Sequence, residues 1–214
     1  MKVKDYDRNV FINCAFDSKF IDLFRAIVYT VHDCGFIARC ALEKGNNEGV
    51  RIDKIVKIIE QCKYGIHDLS SIEITAESPL PRYNMPYELG VFMGCKHFGE
   101  AFQTRKDFIV LDSEPHRYKQ LISDLAGYDF LPHQNNPNTL IAIIRDWLSG
   151  TRAKQLPGPK YYQERYERFL KDYPKLCQSL GYDAATLNFK DYYALVSAWI
   201  QEENRKLLES AIEE

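Results

Sequence analysis

Tyr64-Gly65-Ile66-His67-Asp68-Leu69-Ser70 is the stretch on which the fold turns. It is a strand-like run, and it closes on two polar residues, Asp68 and Ser70. Immediately before it, Ile52, Ile55, Val56, Ile59 and Cys62 keep the spacing of a helix with one apolar stripe. A helix feeding directly into a short buried strand is the repeating unit of a parallel sheet.

Reading backward from this strand, the unit recurs. Phe36-Ile37-Ala38-Arg39-Cys40-Ala41 reads as a strand, as does Val10-Phe11-Ile12-Asn13-Cys14. Between them Phe20, Leu23, Phe24, Ile27, Val28 and Val31 mark a helix, with Asp17 and Ser18 as candidate caps and Gly35 as its stop. Reading forward, Glu88 opens a helix in which Leu89, Val91, Phe92 and Cys95 are available for packing, and Pro86 suits its first position. Asp107 to Asp112 forms a fourth strand, a helix is expected from about Tyr118 to Ala126, and a short strand near Phe130. The helix bearing Leu140, Ile144, Trp147 and Leu148 closes the unit at Ser149-Gly150.

About five parallel strands covered by helices on both faces predict an α/β, flavodoxin-like, three-layer fold with strand order 2-1-3-4-5 over residues 1–150. Residues 151–160 read as a Pro- and Gly-containing linker. Residues 151–214 then form a C-terminal helical extension, where Tyr162, Tyr166, Phe169, Leu170 and Tyr173, and later Phe189, Tyr192, Tyr193, Val196, Trp199 and Ile200, keep helical spacing. So short an extension buries too little core to stand alone, so it is expected to pack on the sheet unit or on a second copy of the chain.

The composition narrows the function. A net charge of −2 gives no basic field for nucleic acid or an anionic membrane, and no apolar run is long enough to span a bilayer. The polar N-terminus and scattered cysteines point to a cytoplasmic protein. The six cysteines lack metal-ligand or C-x-x-C spacing and read as small buried hydrophobes, with Cys14 the one to watch because it ends a strand at the candidate site. The five histidines show no metal spacing, and His67 reads as a core or edge histidine. Phosphate-loop, dinucleotide-fingerprint, nucleophile-elbow and zincin motifs are all missing.

The topology aims two polar loops at one crevice, because ligands bind beyond the carboxyl ends of the strands where the strand order reverses. Those loops are Asn13 to Asp17, including Phe16, and Asp68 to Glu88, including Ser70. Glu88 is the candidate catalytic group, although a carboxylate in a first helical turn is also a plain helix stabiliser. Arg82, Tyr83 and Asn84 have the chemistry to hold phosphate, base and sugar hydroxyls. Arg39 could reach a phosphate, Asp68 ribose hydroxyls, and Asn13 and Asp17 either the ligand or their own turn. A fixed carboxylate beside a ribose can stabilise or trap the oxocarbenium charge that forms when an N-glycosidic bond breaks. Where the leaving base is already cationic, it departs neutral and needs no general acid.

Val10-Phe11-Ile12-Asn13-Cys14-Ala15-Phe16-Asp17 resembles the first strand and loop of TIR domains. Tyr87-Glu88-Leu89-Gly90 is similar both to the glutamate-bearing helix start of that superfamily and to the E-x-G of nucleoside 2-deoxyribosyltransferases. The run from Asp68 to Gly90 looks like stand-alone bacterial TIR-like proteins of antiviral defence. The resemblance covers about residues 8–148. It implies NAD+ as substrate rather than a bound cofactor, nicotinamide release, Glu88 as the catalytic residue, and assembly with further copies or a sensor through the C-terminal helices. Asn84 and Met85 stand where many TIR enzymes carry Trp-Cys and many deoxyribosyltransferases Gly-Thr. Transfer or hydrolysis on deoxynucleotides, or a non-catalytic module that binds a nucleotide signal, are the alternatives.

Overall fold

The computed structural model describes residues 3–43, 50–72, 81–117, 122–125, 127–151 and 155–213. Five strands, β1 (Asn9–Asn13), β2 (Ile37–Cys40), β3 (Tyr64–Asp68), β4 (Asp107–Asp112) and β5 (Phe130–Pro132), form one sheet in the order β2-β1-β3-β4-β5. Every pairing is parallel. This is the expected flavodoxin-like order. Its reversal lies between β1 and β3, which pair in register from Val10↔Tyr64 to Asn13↔His67.

Side-chain alternation along β1 explains the layers, since successive residues on a strand point to opposite faces. Val10 and Ile12 face a core shared with α1 (Ile21–Asp33) and α4 (Pro137–Gly150). Phe11 faces the other side, against Ile55, Ile58 and Ile59 of α2 (Arg51–Glu60) and Phe92 of α3 (Asn84–Phe98). A third cluster joins Met85 and Leu89 of α3 to Val110 and Phe130.

The two C-terminal helices, α5 (Pro159–Ser179) and α6 (Phe189–Glu213), pack on the chain's own α1 and α4 layer. The ring of Tyr29 on α1 lies 4.9 Å from Tyr166, 5.3 Å from Phe169 and 6.0 Å from Trp199, centroid to centroid. Beside it, buried Arg165 reaches both carboxylate oxygens of Asp33 at 2.9 Å.

Three boundaries differ from expectation. The third helix starts at Asn84, not at Glu88, because Tyr83 ends the preceding loop in helical geometry. Helix α5 starts at Pro159, with Gly158 as its cap, so the linker is shorter than ten residues. The helix expected over Tyr118 to Ala126 lies partly outside the described residues, and Ser123–Leu125 is a 3-10 turn. The loop from Gly45 to Gly49 also lies outside them.

Candidate active site at the carboxyl edge

The site is assembled from the end of β1 outward. The Asn13 side-chain amide donates to the Met85 carbonyl in the first turn of α3, at 2.8 Å, and contacts Nδ1 of His67 on β3 at 3.0 Å. One amide thus holds together the two central strands and the helix that carries Glu88.

Met85, Glu88, Leu89 and Phe92 form the sheet-facing side of α3. Glu88 is the fifth residue of that helix, so the first-turn placement is corrected: the carboxylate is a turn too deep to stabilise the helix end. It is also buried, at 6% exposure. Burial pushes its carboxyl up to about 7, against the pull of the Arg51 guanidinium 3.8 Å away. Arg51 is the first residue of α2 and is largely exposed. The Cys14 thiol, buried at the end of β1, is pushed well above its ordinary value first by burial and then by the charges of Asp68, Glu88 and Asp17. Cys14 is therefore a packed thiol rather than a nucleophile.

Asp17 and Arg82 form an ion pair that ties the β1 loop to the approach to α3. Burial pushes Asp17 up, but the bonds from Arg82 and from the Phe20 N–H outweigh it and hold the carboxyl below its ordinary value. Asp17 also accepts from the Lys19 N–H at 3.0 Å, so it builds its own turn as well. Tyr83 and Asn84 stand exposed at the start of α3, with Tyr83 at 72%. Phe16 is half-buried, its ring edge-on to Phe24 at 5.1 Å.

Two expected ligand contacts are corrected. Arg39 bonds Glu43 at 2.7 Å and Gln61 at 3.1 Å, and it lines a cleft with Asn9 and Ile37 at the amino ends of the strands. That cleft lies at the opposite edge from the crevice. Asp68 is fully buried, and its Oδ1 accepts from the Ser70 N–H at 2.9 Å and the Ser70 hydroxyl at 2.5 Å. Asp68 shapes the loop and leaves Ser70 as the half-buried member of the pair.

His67 is a core histidine. Phe11, Phe92 and Phe108 surround its ring, and burial, aided by Lys106, pushes it down to about 3. A Cβ on Gly65 would come within 2.7 Å of His67 Nε2, so the missing side chain there is what admits the ring.

Motif reading missed His133, Asp112, Arg117 and Arg51. His133 follows β5, is fully buried, and places Nε2 3.0 Å from Asp68 Oδ2. Asp112 ends β4 as Asp68 ends β3, a parallel that was visible in the two strand sequences, and it pairs with Arg117 at 2.5 Å. Nothing in the sequence singled out His133 or Arg51, since each gains its partner only through the fold.

Neither a family model, a curated protein nor a solved structure matches this chain.

Proposed function

We propose that the chain is a nucleotide N-glycosidase of the TIR-like kind that releases nicotinamide from NAD+, with Glu88 as the catalytic carboxylate. The observation that carries this reading is a buried carboxyl, held near neutrality, at the strand-order reversal where this fold class places its ligands. The plain helix-stabiliser reading loses its footing, because Glu88 lies in the second turn and its carboxyl is pushed up rather than down.

The bond between ribose C1′ and the nicotinamide nitrogen breaks, and its electron pair leaves with the base, which departs neutral. Ionised Glu88 faces the resulting oxocarbenium ion and lowers its energy in a site that keeps water away from the carboxylate. Water then adds at C1′ and its proton passes to Glu88 or to solvent. Asn13 positions Glu88 through Met85. Arg82, Asp17, Tyr83 and Asn84 border the entrance, where a phosphate, a base and sugar hydroxyls find their partners. Further copies or a sensor would engage the outer end of α6, where Leu207 and Leu208 are exposed.

The test is release of nicotinamide from NAD+ by the full chain at high protein concentration, followed by chromatography. Glu88→Gln, folded by circular dichroism, should lower turnover by at least a hundredfold. Equal turnover in the two proteins would overturn the assignment.

A further inference from the structure

Apart from Glu88, the carboxyl edge holds a cleft of about 410 Å³, over the ends of β3, β4 and β5. Ser70, Ser71, Ser113 and Asn135 line it from those strands, with Lys19 and Asp22 opposite. Glu88 is not among its lining residues.

Beneath this polar surface lie three polar side chains buried almost completely. Asp68 and His133 are 0% exposed, and Asp112 is 1%. Each anchors a lining residue. Asp68 accepts from Ser70, Asp112 accepts from the Ser113 N–H at 2.7 Å with the Ser113 hydroxyl 3.5 Å away, and His133 Nδ1 accepts from the Asn135 N–H at 3.0 Å. Because that bond occupies Nδ1, a neutral His133 carries its proton on Nε2, facing Asp68 Oδ2 at 3.0 Å but off the line of a hydrogen bond. Asp112 Oδ2 is buried with no hydrogen-bond partner among the described residues.

The turn that presents Asn135 is itself unusual. Gln134 and Asn135 both adopt left-handed backbone, at φ 55° and 52°, closed by the Asn136 N–H on the His133 carbonyl at 2.9 Å. Two consecutive non-glycine residues in that region are costly. They are held there by tertiary contacts, including the Gln134 N–H on the Ser113 carbonyl at 3.0 Å.

These observations select a ligand chemistry. A serine hydroxyl that donates to a buried carboxylate turns its lone pairs outward, so Ser70 offers an acceptor with negative charge behind it. A phosphate brings only acceptors, and a hydroxyl whose proton is already given to Asp68 has none left to donate to it. A group rich in hydroxyl donors is favoured, with the Asn135 amide able to donate or accept beside it. We propose that this cleft receives a ribose diol: the sugar of the dinucleotide remote from the bond that is cleaved. The assignment rests on the dinucleotide reading above and names where its second nucleoside sits. Ser70 and Ser113 are its binding residues, held in place by Asp68 and Asp112.

Calorimetric titration of the full chain carrying Glu88→Gln separates the claims. The probes are NAD+ and its analogue lacking the 2′ and 3′ hydroxyls on the adenosine ribose. The analogue is expected to bind about tenfold more weakly, the scale of one or two lost hydrogen bonds. Ser113→Ala and Ser70→Ala should each weaken NAD+ binding severalfold while leaving the analogue within twofold, which erases the discrimination. Ser113→Ala keeps the test valid if Ser70→Ala, which strips Asp68 of a partner, does not fold. Equal affinity for both probes, discrimination that survives both serine changes, or no binding of either probe overturns the assignment. Discrimination without nicotinamide release by the unsubstituted chain would remove the glycosidase reading and keep the cleft. Release without discrimination would do the reverse.

Discussion

Asn13 and Met85 are joined across the centre of the molecule by a 2.8 Å bond from a strand-ending amide to a carbonyl in the first turn of α3. Glu88 lies three residues beyond that carbonyl, so the position of the candidate catalytic carboxylate is set by a side chain 75 residues away in sequence.

Asn13→Ala should therefore affect both stability and turnover. It leaves the Met85 carbonyl and His67 Nδ1 without their donor in a buried setting, at a cost of about 2 kcal/mol. Urea denaturation should show that loss. Nicotinamide release should fall further than the lost stability explains, because Glu88 is no longer held in place.

The carboxyl of Glu88 sits at about 7 in the fold, above its ordinary 4.5. The native state then binds more protons than the unfolded chain between these values, so stability falls as pH rises from about 4.5 through 7. The upper bound of this penalty is ~3 kcal/mol once the group is ionised. Glu88→Gln removes it, so the difference in melting temperature between variant and wild type should widen in the variant's favour from pH 5 to pH 8. A constant difference across that range would contradict the burial account.

Turnover should have the opposite pH dependence, since the proposed function makes the ionised carboxylate the active form. kcat/KM for NAD+ should rise through about pH 7 and then level. Arg51→Ala removes the cation 3.8 Å from Glu88 and should move that rise to higher pH. The displacement should be small, because Arg51 is largely exposed and solvent screens it. A pH–rate profile of each protein checks both statements.

The ion pair of Arg165 with Asp33 is buried on both sides, at 1% and 3% side-chain exposure. Arg165→Met leaves Asp33 charged and unpaired, at a cost of about 3–5 kcal/mol. Replacing both, as Arg165→Met with Asp33→Leu, should recover most of that loss. Guanidinium denaturation of the three proteins measures it.

The periodicity of the chain made the sheet order legible, because each strand is a short apolar run between helices whose stripes share one spacing. Val10 and Ile12 on one side and Phe11 on the other already implied a sheet covered twice. The start of α3 was misplaced because Pro86 is a good first helical residue, yet the backbone enters helical geometry at Tyr83, and proline is tolerated anywhere in the first turn. For Arg39, strand position gives the height of the side chain but not the partners it bends towards, Glu43 and Gln61. His133 was invisible for a related reason: its partner Asp68 is 65 residues upstream, and no local pattern connects them.

The contact between Asp33 and Arg165 also has a consequence for synthesis. The two residues are 132 positions apart, so α1 leaves the ribosome on the order of ten seconds before its aromatic cover exists. Through that interval the Tyr29 surface lacks the rings of Tyr166, Phe169 and Trp199 that cover it in the fold.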